Sequence, residues 1–364
     1  RHLLSLGAGG LSEDQITKAL VDVGAQLGSH FDRDRAGLSL RTLSSERERK
    51  QALDVFSRLI QYPEFPEDIL VREQTRIAAG IREASTKPDY IAEHTLMKML
   101  YGDHSYGLSD TGEIDTLNAL RRNDLVTFYK TYYTARNAVI TIIGDVSRLE
   151  AAAIAELLTA NLSPGQHLSN LPPVKAPRAE IRRIPHPATQ SHIQLAYPGL
   201  QRNDPDYFPL LVGNHILGGG GFVSRLMDEI RQKRGLVYSI HSFFSPFKEQ
   251  GPFQISLQTK KEQSEEALSL TQKILEDFIA EGPSENELVA AKQNIIGGFP
   301  LRIDSNSKIL GYLAVIGFYN LPLTYLDDYL AAVEAVTTAQ IKQAFQRRIL
   351  PDGMVTVIVG AAAK

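Results

Sequence analysis

Two side chains that could polarise a peptide carbonyl, Arg231 and Tyr238, lie seven residues apart in the second half of the chain. An arginine carries a planar, always charged fork of N–H donors, and a tyrosine carries one O–H donor. Held together, these groups suit a carbonyl oxygen that gains negative charge when a nucleophile attacks it. Each residue also has an ordinary structural interpretation, because an arginine near a helix C-terminus complements the helix dipole and a strand tyrosine often packs in the core. Both interpretations stay open at this point.

A glycine run, a short helix and a strand are predicted to position this pair. Gly218–Gly221 opens the stretch, and it lacks the Gly-Lys-Ser/Thr ending of a phosphate-binding loop. Gly235 predicts a C-terminal helix cap, and the β-branched and aromatic run from Leu236 predicts a strand. Helical spacing predicts one buried face, made of Val223, Leu226, Met227 and Ile230.

The composition argues against nucleic acid and anionic membranes as main partners. The chain has 364 residues, a net charge of −3, a pI near 6.3 and no long basic run. Its hydrophobic content of 43% is enough for a core in each of two domains. There are no cysteines, so neither a disulfide nor a thiol ligand is available.

No apolar run approaches the ~18 residues of a membrane span, so we expect no transmembrane helix. The first residues, Arg1–Leu4, have the pattern of a helix interior. We therefore expect further residues upstream, and that part could hold a targeting segment.

The two halves of the chain repeat one pattern. Leu120–Gly144 matches Val336–Gly360 without a gap. Two shorter matches keep the same offset to within one position, and they pair Ala52-Leu53 with Ala267-Leu268 and Pro66 with Pro283. The near-constant offset predicts that one α+β unit has been duplicated. The alternative is that the two halves share only the general sequence pattern of their fold class.

The predicted domains are 1–165 and 184–364, each a mainly antiparallel sheet packed with helices. The proline-rich stretch 166–183 is the predicted linker. Two local predictions accompany this division. Ser12 and Gln15 have the spacing of a capping box, and Asn137–Val146 has the β-branched content of a buried strand.

The duplicated halves, the run LGGGGFVSRL and the Arg231…Tyr238 pair make the chain resemble the pitrilysin or insulinase-type zinc peptidases. Within that family it is similar to the short two-subunit branch that includes mitochondrial processing peptidase, and Tyr197–Ser239 is the most specific part. There, a catalytic subunit supplies a zinc site, and a second subunit or domain supplies an arginine and a tyrosine. The resemblance places these roles on Arg231 and Tyr238. Gly218–Gly221 would let a peptide backbone approach closely, because glycine has no side chain.

The zinc-binding residues of that family are incomplete in this chain. The family binds zinc through an inverted HxxEH motif, whose two imidazoles hold the metal while the glutamate acts on the attacking water. The resemblance places His2 on the second imidazole, but Arg1 stands at the glutamate position, where a guanidinium cannot accept a proton. The third ligand would lie seven residues after Glu73, where this chain has Gly80. We therefore expect no zinc in this chain.

The other histidines offer no substitute motif. Tyr90 stands where a first histidine would precede Glu93-His94, so HxxEH fails there too. The remaining histidines have no partner at i, i+4 and are interpreted as surface or packing residues: His30, His104, His167, His186, His192, His215 and His241.

The favoured hypothesis is a non-catalytic subunit of a heterodimeric zinc metallopeptidase, inactive alone. A homologous catalytic subunit would supply zinc and the general base, and this chain would help bind the peptide substrate. The alternative is a structural core or adaptor subunit without a proteolytic role. A third hypothesis, an active homodimer, needs the metal site that Arg1 and Gly80 deny. The resemblance implies the bacterial periplasm, with the mitochondrion as the alternative location.

Overall fold

The computed structural model describes residues 2–360, apart from the side chain of His2. Its α-helices are α1 (Glu13–Val21), α2 (Glu46–Gln61), α3 (Glu67–Ala84), α4 (Pro88–Tyr101), α5 (Ile114–Ala119), α6 (Arg122–Tyr132), α7 (Arg148–Thr159), α8 (Tyr207–Asn214), α9 (Ser264–Glu281), α10 (Glu285–Gly298), α11 (Asn306–Phe318), α12 (Tyr325–Glu334) and α13 (Thr338–Arg348). Its strands are β1 (Gly7–Ala8), β2 (Leu11–Ser12), β3 (Gln26–Phe31), β4 (Ala36–Arg41), β5 (Glu180–Ile184), β6 (Gln190–Leu200), β7 (Val237–Phe244), β8 (Gly251–Lys260) and β9 (Val355–Val359). No helix within residues 2–360 is both long and apolar enough to cross a bilayer.

Internal contacts divide the chain into two compact units. The first comprises the described residues through Ile81, together with Asp110–Asn170 and Asp304–Phe318. The second comprises Arg82–Ser109, Leu171–Ile303 and the described residues from Tyr319 onward. The domain ranges 1–165, 166–183 and 184–364 follow the sequence repeat rather than these units, and they stay a prediction.

The second unit is built on a five-stranded sheet in the order β5-β9-β6-β8-β7. β5 and β9 pair in parallel, and the other neighbours pair antiparallel. Because successive strand residues face opposite sides, Leu195 of β6 and Phe253 of β8 enter one core and are fully buried. In that core, Phe278 of α9 and Phe345 of α13 meet edge to face, with ring centroids 4.9 Å apart.

The opposite side of this sheet packs against α4. Leu96 and Leu100 of α4 lie in one cluster with Val355 and Val357 of β9, and all four side chains are buried. The sheet is thus mainly antiparallel and has helices packed on it, which confirms the predicted α+β class.

The first unit holds two short antiparallel hairpins, β1–β2 and β3–β4. Its helices α1 and α2 share a core that includes Ile16 and Leu59. The predicted capping box of α1 is confirmed, because the Gln15 N–H donates to Ser12 Oγ at 3.3 Å and the Ser12 N–H donates to Gln15 Oε1 at 2.9 Å. These two bonds satisfy N–H groups that a helix start otherwise leaves without a partner.

The predicted buried strand at Asn137–Val146 is wrong. Ala135–Asn137 forms a 3-10 turn, and residues 138–143 join no sheet of the described chain. Val139 and Ile140 are 48% and 37% exposed. β-branched residues favour extended backbone, but a strand also needs a neighbour that takes its hydrogen bonds. None of the strands within residues 2–360 supplies that neighbour.

Element bounds in the two halves agree with the predicted repeat. α13 begins and ends at positions that match the first and last residues of α6, with the same offset that aligns Gly144 with Gly360. The 3-10 turns Ala135–Asn137 and Pro351–Gly353 match each other in the same way. The first residues of α4 and α11 differ from this offset by two positions, and their last residues differ from it by one. These two helices are exchanged, since α4 belongs to the second unit and α11 to the first. The agreement supports a duplicated unit in which each half gives one helix to the other.

Candidate functional site

The helix that carries Arg231 adopts π geometry over Met227–Gln232. Leu226 and Ile230 are fully buried in the core of the second unit, so the predicted apolar face is confirmed at these positions. Met227 is partly buried against the same core. A π segment has a wider turn than an α-helix and often accompanies functional positions.

The predicted helical face is wrong at Val223, which is 80% exposed. Gly221–Val223 forms a separate 3-10 turn. The N–H and Oγ of Ser224 both donate to the carbonyl oxygen of Gly221, at 3.1 and 2.7 Å. Because the helix begins only after Ser224, Val223 and its neighbour Phe222, which is 62% exposed, lie outside the core.

The break after the helix is closed at Gly235, as the sequence predicts. Gly235 has φ +62°, a conformation that favours glycine. Its N–H donates to the Arg231 carbonyl at 2.9 Å, and the Leu236 N–H donates to the Ile230 carbonyl at 3.0 Å. These bonds fix the direction in which the chain enters β7.

Tyr238 lies at a β-bulge in β7, an edge strand of the sheet. Val237 pairs with Thr259 and Ser239 pairs with Gln258, so Tyr238 has no position in the register between them. A bulge changes the direction of the residue it inserts. The Tyr238 side chain is 69% exposed, which excludes its interpretation as a core residue.

Arg231 is a partly exposed cation that stacks on an aromatic ring. Its Cζ lies 5.0 Å from the centroid of the Phe222 ring. Within residues 2–360, the Arg231 side chain has no ion pair and no hydrogen bond, so no hydrogen bond joins it to Tyr238. Stacking uses the face of a guanidinium and leaves the N–H groups at its rim free for a ligand.

The other charges of this helix pair with one another. Lys233 Nζ lies 2.8 Å from Asp228 and 2.6 Å from Glu229, and Arg234 lies 2.7 Å from Glu229. The hydrogen bonds from Arg234 and Lys233 lower the pKa of the Glu229 carboxyl. The carboxylates nearest in sequence are therefore engaged elsewhere and leave Arg231 free.

Arg225 ties the start of this helix to α10. Its Nε and Nη2 donate to the two carboxylate oxygens of Glu287 at 2.5 and 2.7 Å, and its Cζ lies 5.0 Å from the Phe278 ring centroid. Burial acts to raise the pKa of Glu287, but hydrogen bonds from Arg225 and Ser284 outweigh it and lower the pKa to about 2. Two parallel hydrogen bonds between a guanidinium and a carboxylate fix the relative orientation of both side chains.

The glycine run is packed rather than loose. A Cβ on Gly218 would meet the backbone N of Ser242 at 2.7 Å, and a Cβ on Gly219 would meet Asn214 Nδ2 at 2.6 Å. A Cβ on Gly220 would lie 2.6 Å from the His215 carbonyl oxygen. Internal packing thus accounts for three of the four glycines.

Gly221 differs from the other three glycines. It has φ +65°, and open space surrounds its Cβ position. The binding of a peptide at Gly218–Gly221 stays a prediction, and Gly221 is the member of the run with room for it.

The described residues do not fit a zinc site. Within residues 2–360, no group of three or more His, Asp or Glu side chains is arranged to hold a metal ion. Gly80 lies on an exposed part of α3, and the Glu73 carboxylate is buried between Arg72 and Arg76 at 3.1 and 2.7 Å. Arg1 and the side chain of His2 lie outside the described residues, so these two predicted positions stay untested.

His94 and His104 have identifiable packing partners. The ring of His94 stacks on Tyr90, with centroids 5.9 Å apart. His104 Nε2 lies 3.0 Å from the Pro172 carbonyl oxygen. Neither ring belongs to a group of three or more His, Asp or Glu side chains that could hold a metal ion within residues 2–360.

Sequence reasoning missed Phe222 as a neighbour of Arg231. The aromatic residue lies nine positions earlier and belongs to a separate turn, so helical periodicity does not connect the two. The available signal was an aromatic residue that directly follows the glycine run and falls outside the predicted buried face.

A family model and a solved structure that match this chain both carry the description peptidase M16 inactive domain. Residues 119–295 match the family model described as Peptidase M16 inactive domain, a range that contains Gly218–Gly221, Arg231 and Tyr238. The crystal structure of a peptidase M16 inactive domain from Pseudomonas fluorescens is 38% identical in sequence, with a TM-score of 0.96. That match covers 100% of this chain and 87% of the other.

More distant relatives carry different descriptions. The uncharacterized zinc protease YmxG of Bacillus subtilis is 24% identical over 85% of this chain and 74% of its own length. The non-peptidase homolog YmxG of Helicobacter pylori is 23% identical over 80% of this chain and 67% of its own length. The periplasmic protease PqqL from Escherichia coli shares the fold, with a TM-score of 0.80 at 14% identity over 99% of this chain and 40% of PqqL.

Proposed function

The chain belongs to the peptidase M16 family as a non-catalytic, inactive-domain member, and from this premise we propose that it is one subunit of a heterodimeric zinc metallopeptidase. The other subunit would be a homologous chain with an intact zinc site. The observation that carries the proposal is a contrast between two sets of residues in this chain. The Arg231 guanidinium and the Tyr238 phenol are available to a ligand, whereas no group of three or more His, Asp or Glu side chains among residues 2–360 is arranged to hold zinc.

In this proposal, Arg231 and Tyr238 act on the peptide bound at the partner's zinc. Zinc held by the partner's HxxEH residues would supply polarisation of the scissile carbonyl and activation of water. The Arg231 rim donates N–H groups to a carbonyl oxygen of the substrate, and the Tyr238 hydroxyl donates to the oxyanion. Neither residue needs to transfer a proton.

The proposed contribution is large enough to make the subunit necessary. Removing one oxyanion donor from a protease lowers kcat by ~10²–10³, which corresponds to ~2.7–4 kcal/mol. A second chain that brings such a donor can therefore decide whether turnover is detectable. Gly221, with no side chain and with space around it, would let the peptide backbone pass close to this pair.

The proposal is tested by assaying each subunit alone and in an equimolar mixture. The partner is the M16 chain that carries HxxEH and copurifies with this one from the native source. We expect peptide cleavage by the mixture to exceed the sum of the separate activities. A mixture that cleaves no better than the partner alone would favour the structural or adaptor role instead.

We place the complex in the bacterial periplasm, with the mitochondrion as the alternative. The support is the family resemblance together with the fold that the chain shares with periplasmic PqqL. Fractionation of the native cells tests this placement, and a cytosolic chain would contradict it.

A further inference from the structure

Phe222 is a large apolar residue whose ring is exposed while its backbone is held by hydrogen bonds. Its side chain is 62% exposed, so the core does not require it. Its backbone is nonetheless held, because Gln232 Nε2 donates to the Phe222 carbonyl oxygen at 2.5 Å. Ser224 closes the same turn through its two bonds to Gly221. Core packing therefore does not explain why an aromatic residue stands at position 222.

The ring is tied to the helix turn that carries Arg231. Gln232, which holds the Phe222 backbone, follows Arg231 directly in the chain. The Phe222 ring centroid lies 5.0 Å from Arg231 Cζ, within the range of a cation–π contact. The ring and the guanidinium thus belong to one local structure, which consists of the turn Gly221–Val223 and the helix that follows it.

The stacking determines which part of Arg231 remains available. An unrestrained arginine has several rotatable bonds and loses conformational entropy when it binds a ligand. A ring below one face restricts the guanidinium while it leaves the N–H rim open. The competing carboxylates, Asp228 and Glu229, are occupied by Lys233 and Arg234.

We propose that Phe222 is a positioning residue that holds the Arg231 guanidinium in the orientation that binds the substrate carbonyl. This inference rests on the proposed function and adds to it the origin of the guanidinium's orientation. The ring itself contacts Arg231 and takes no part in the chemistry.

The first test needs no partner and no activity. The rate of Arg231 modification by phenylglyoxal is measured by peptide mass spectrometry in the purified chain, with the ion-paired Arg234 as the internal reference. We expect Phe222→Leu to raise the Arg231 rate by about two- to fivefold, the factor that corresponds to an exposed cation–π contact. Phe222→Trp should restore the slow rate, and Val223→Ala, a change at an exposed neighbour in the same turn, should leave it unchanged. An unchanged rate in Phe222→Leu would overturn the proposal.

The second test uses the mixture with the catalytic partner. Phe222→Leu should lower kcat by about two- to fivefold with little change in KM, and Phe222→Trp should recover kcat. A fall that Phe222→Trp does not recover would contradict positioning by an aromatic ring. If the wild-type mixture shows no cleavage, the proposed function fails, while the modification experiment still decides whether Phe222 orders Arg231.

Discussion

Replacing Glu287 by glutamine should loosen the helix that carries Arg231 from the rest of its unit. Glu287 accepts both hydrogen bonds of the Arg225 fork, and Arg225 begins that helix. The carboxyl has a pKa of about 2 in the folded chain against an ordinary value of 4.5. That difference corresponds to at most about 3 kcal/mol of stability at neutral pH. Because the Glu287 side chain is 31% exposed, solvent screening reduces this contribution. We expect Glu287→Gln to cost about 1–2 kcal/mol in the free energy of unfolding.

The pH dependence of this cost has a definite sign. The folded-state pKa lies below the unfolded one, so the stabilisation is complete above pH 4.5 and is lost as the pH falls through 2. Urea unfolding followed by far-ultraviolet circular dichroism, at neutral pH and near pH 3, measures it. The difference between wild type and Glu287→Gln should shrink by about half or more at the lower pH. Glu276→Gln, at an exposed position of α9, is the matched control. A Glu287→Gln chain as stable as wild type at neutral pH, or a pH-independent difference, would refute the reasoning.

Two further predictions concern the glycine run and the metal. Gly218→Ala should lower the free energy of unfolding by ~1–3 kcal/mol and speed amide hydrogen exchange in β7, because the added Cβ meets the Ser242 backbone. Gly221→Ala is the control, since it adds left-handed backbone strain but no clash. Equal exchange rates in β7 for the two variants would contradict this account. The purified chain should contain no stoichiometric zinc by elemental analysis, because its described residues offer no donor set; stoichiometric zinc removed by a chelator would instead support an active homodimer.

Local signals in the sequence predicted the framework of the site well. The left-handed φ of Gly235 and the buried faces of Leu226 and Ile230 depend on residue type and spacing alone. The same holds for the capping box at Ser12 and for the repeat, whose offset reappears in the element bounds. These features need no knowledge of distant contacts.

Features that depend on a neighbouring element could not be predicted in this way. The bulge at Tyr238 arises from the register between β7 and β8, and that register places the phenol in the open. Asn137–Val146 has the composition of a strand but lacks a pairing partner among residues 2–360. Val223 fits the helical period, but Ser224 closes a separate turn before the helix begins. The local pattern was overridden by the register with β8 at Tyr238, by the lack of a neighbouring strand at Asn137–Val146 and by a side-chain hydrogen bond at Val223.

The central claim is that this chain supplies an oxyanion donor to a partner's zinc site. The most direct measurement is kcat for peptide cleavage by the mixed subunits, with wild-type chain and with Tyr238→Phe, while complex formation is followed by analytical ultracentrifugation. The account predicts that Tyr238→Phe lowers kcat by ~10²–10³ while the complex assembles as before. An assembled complex whose kcat is unaffected by Tyr238→Phe would contradict it.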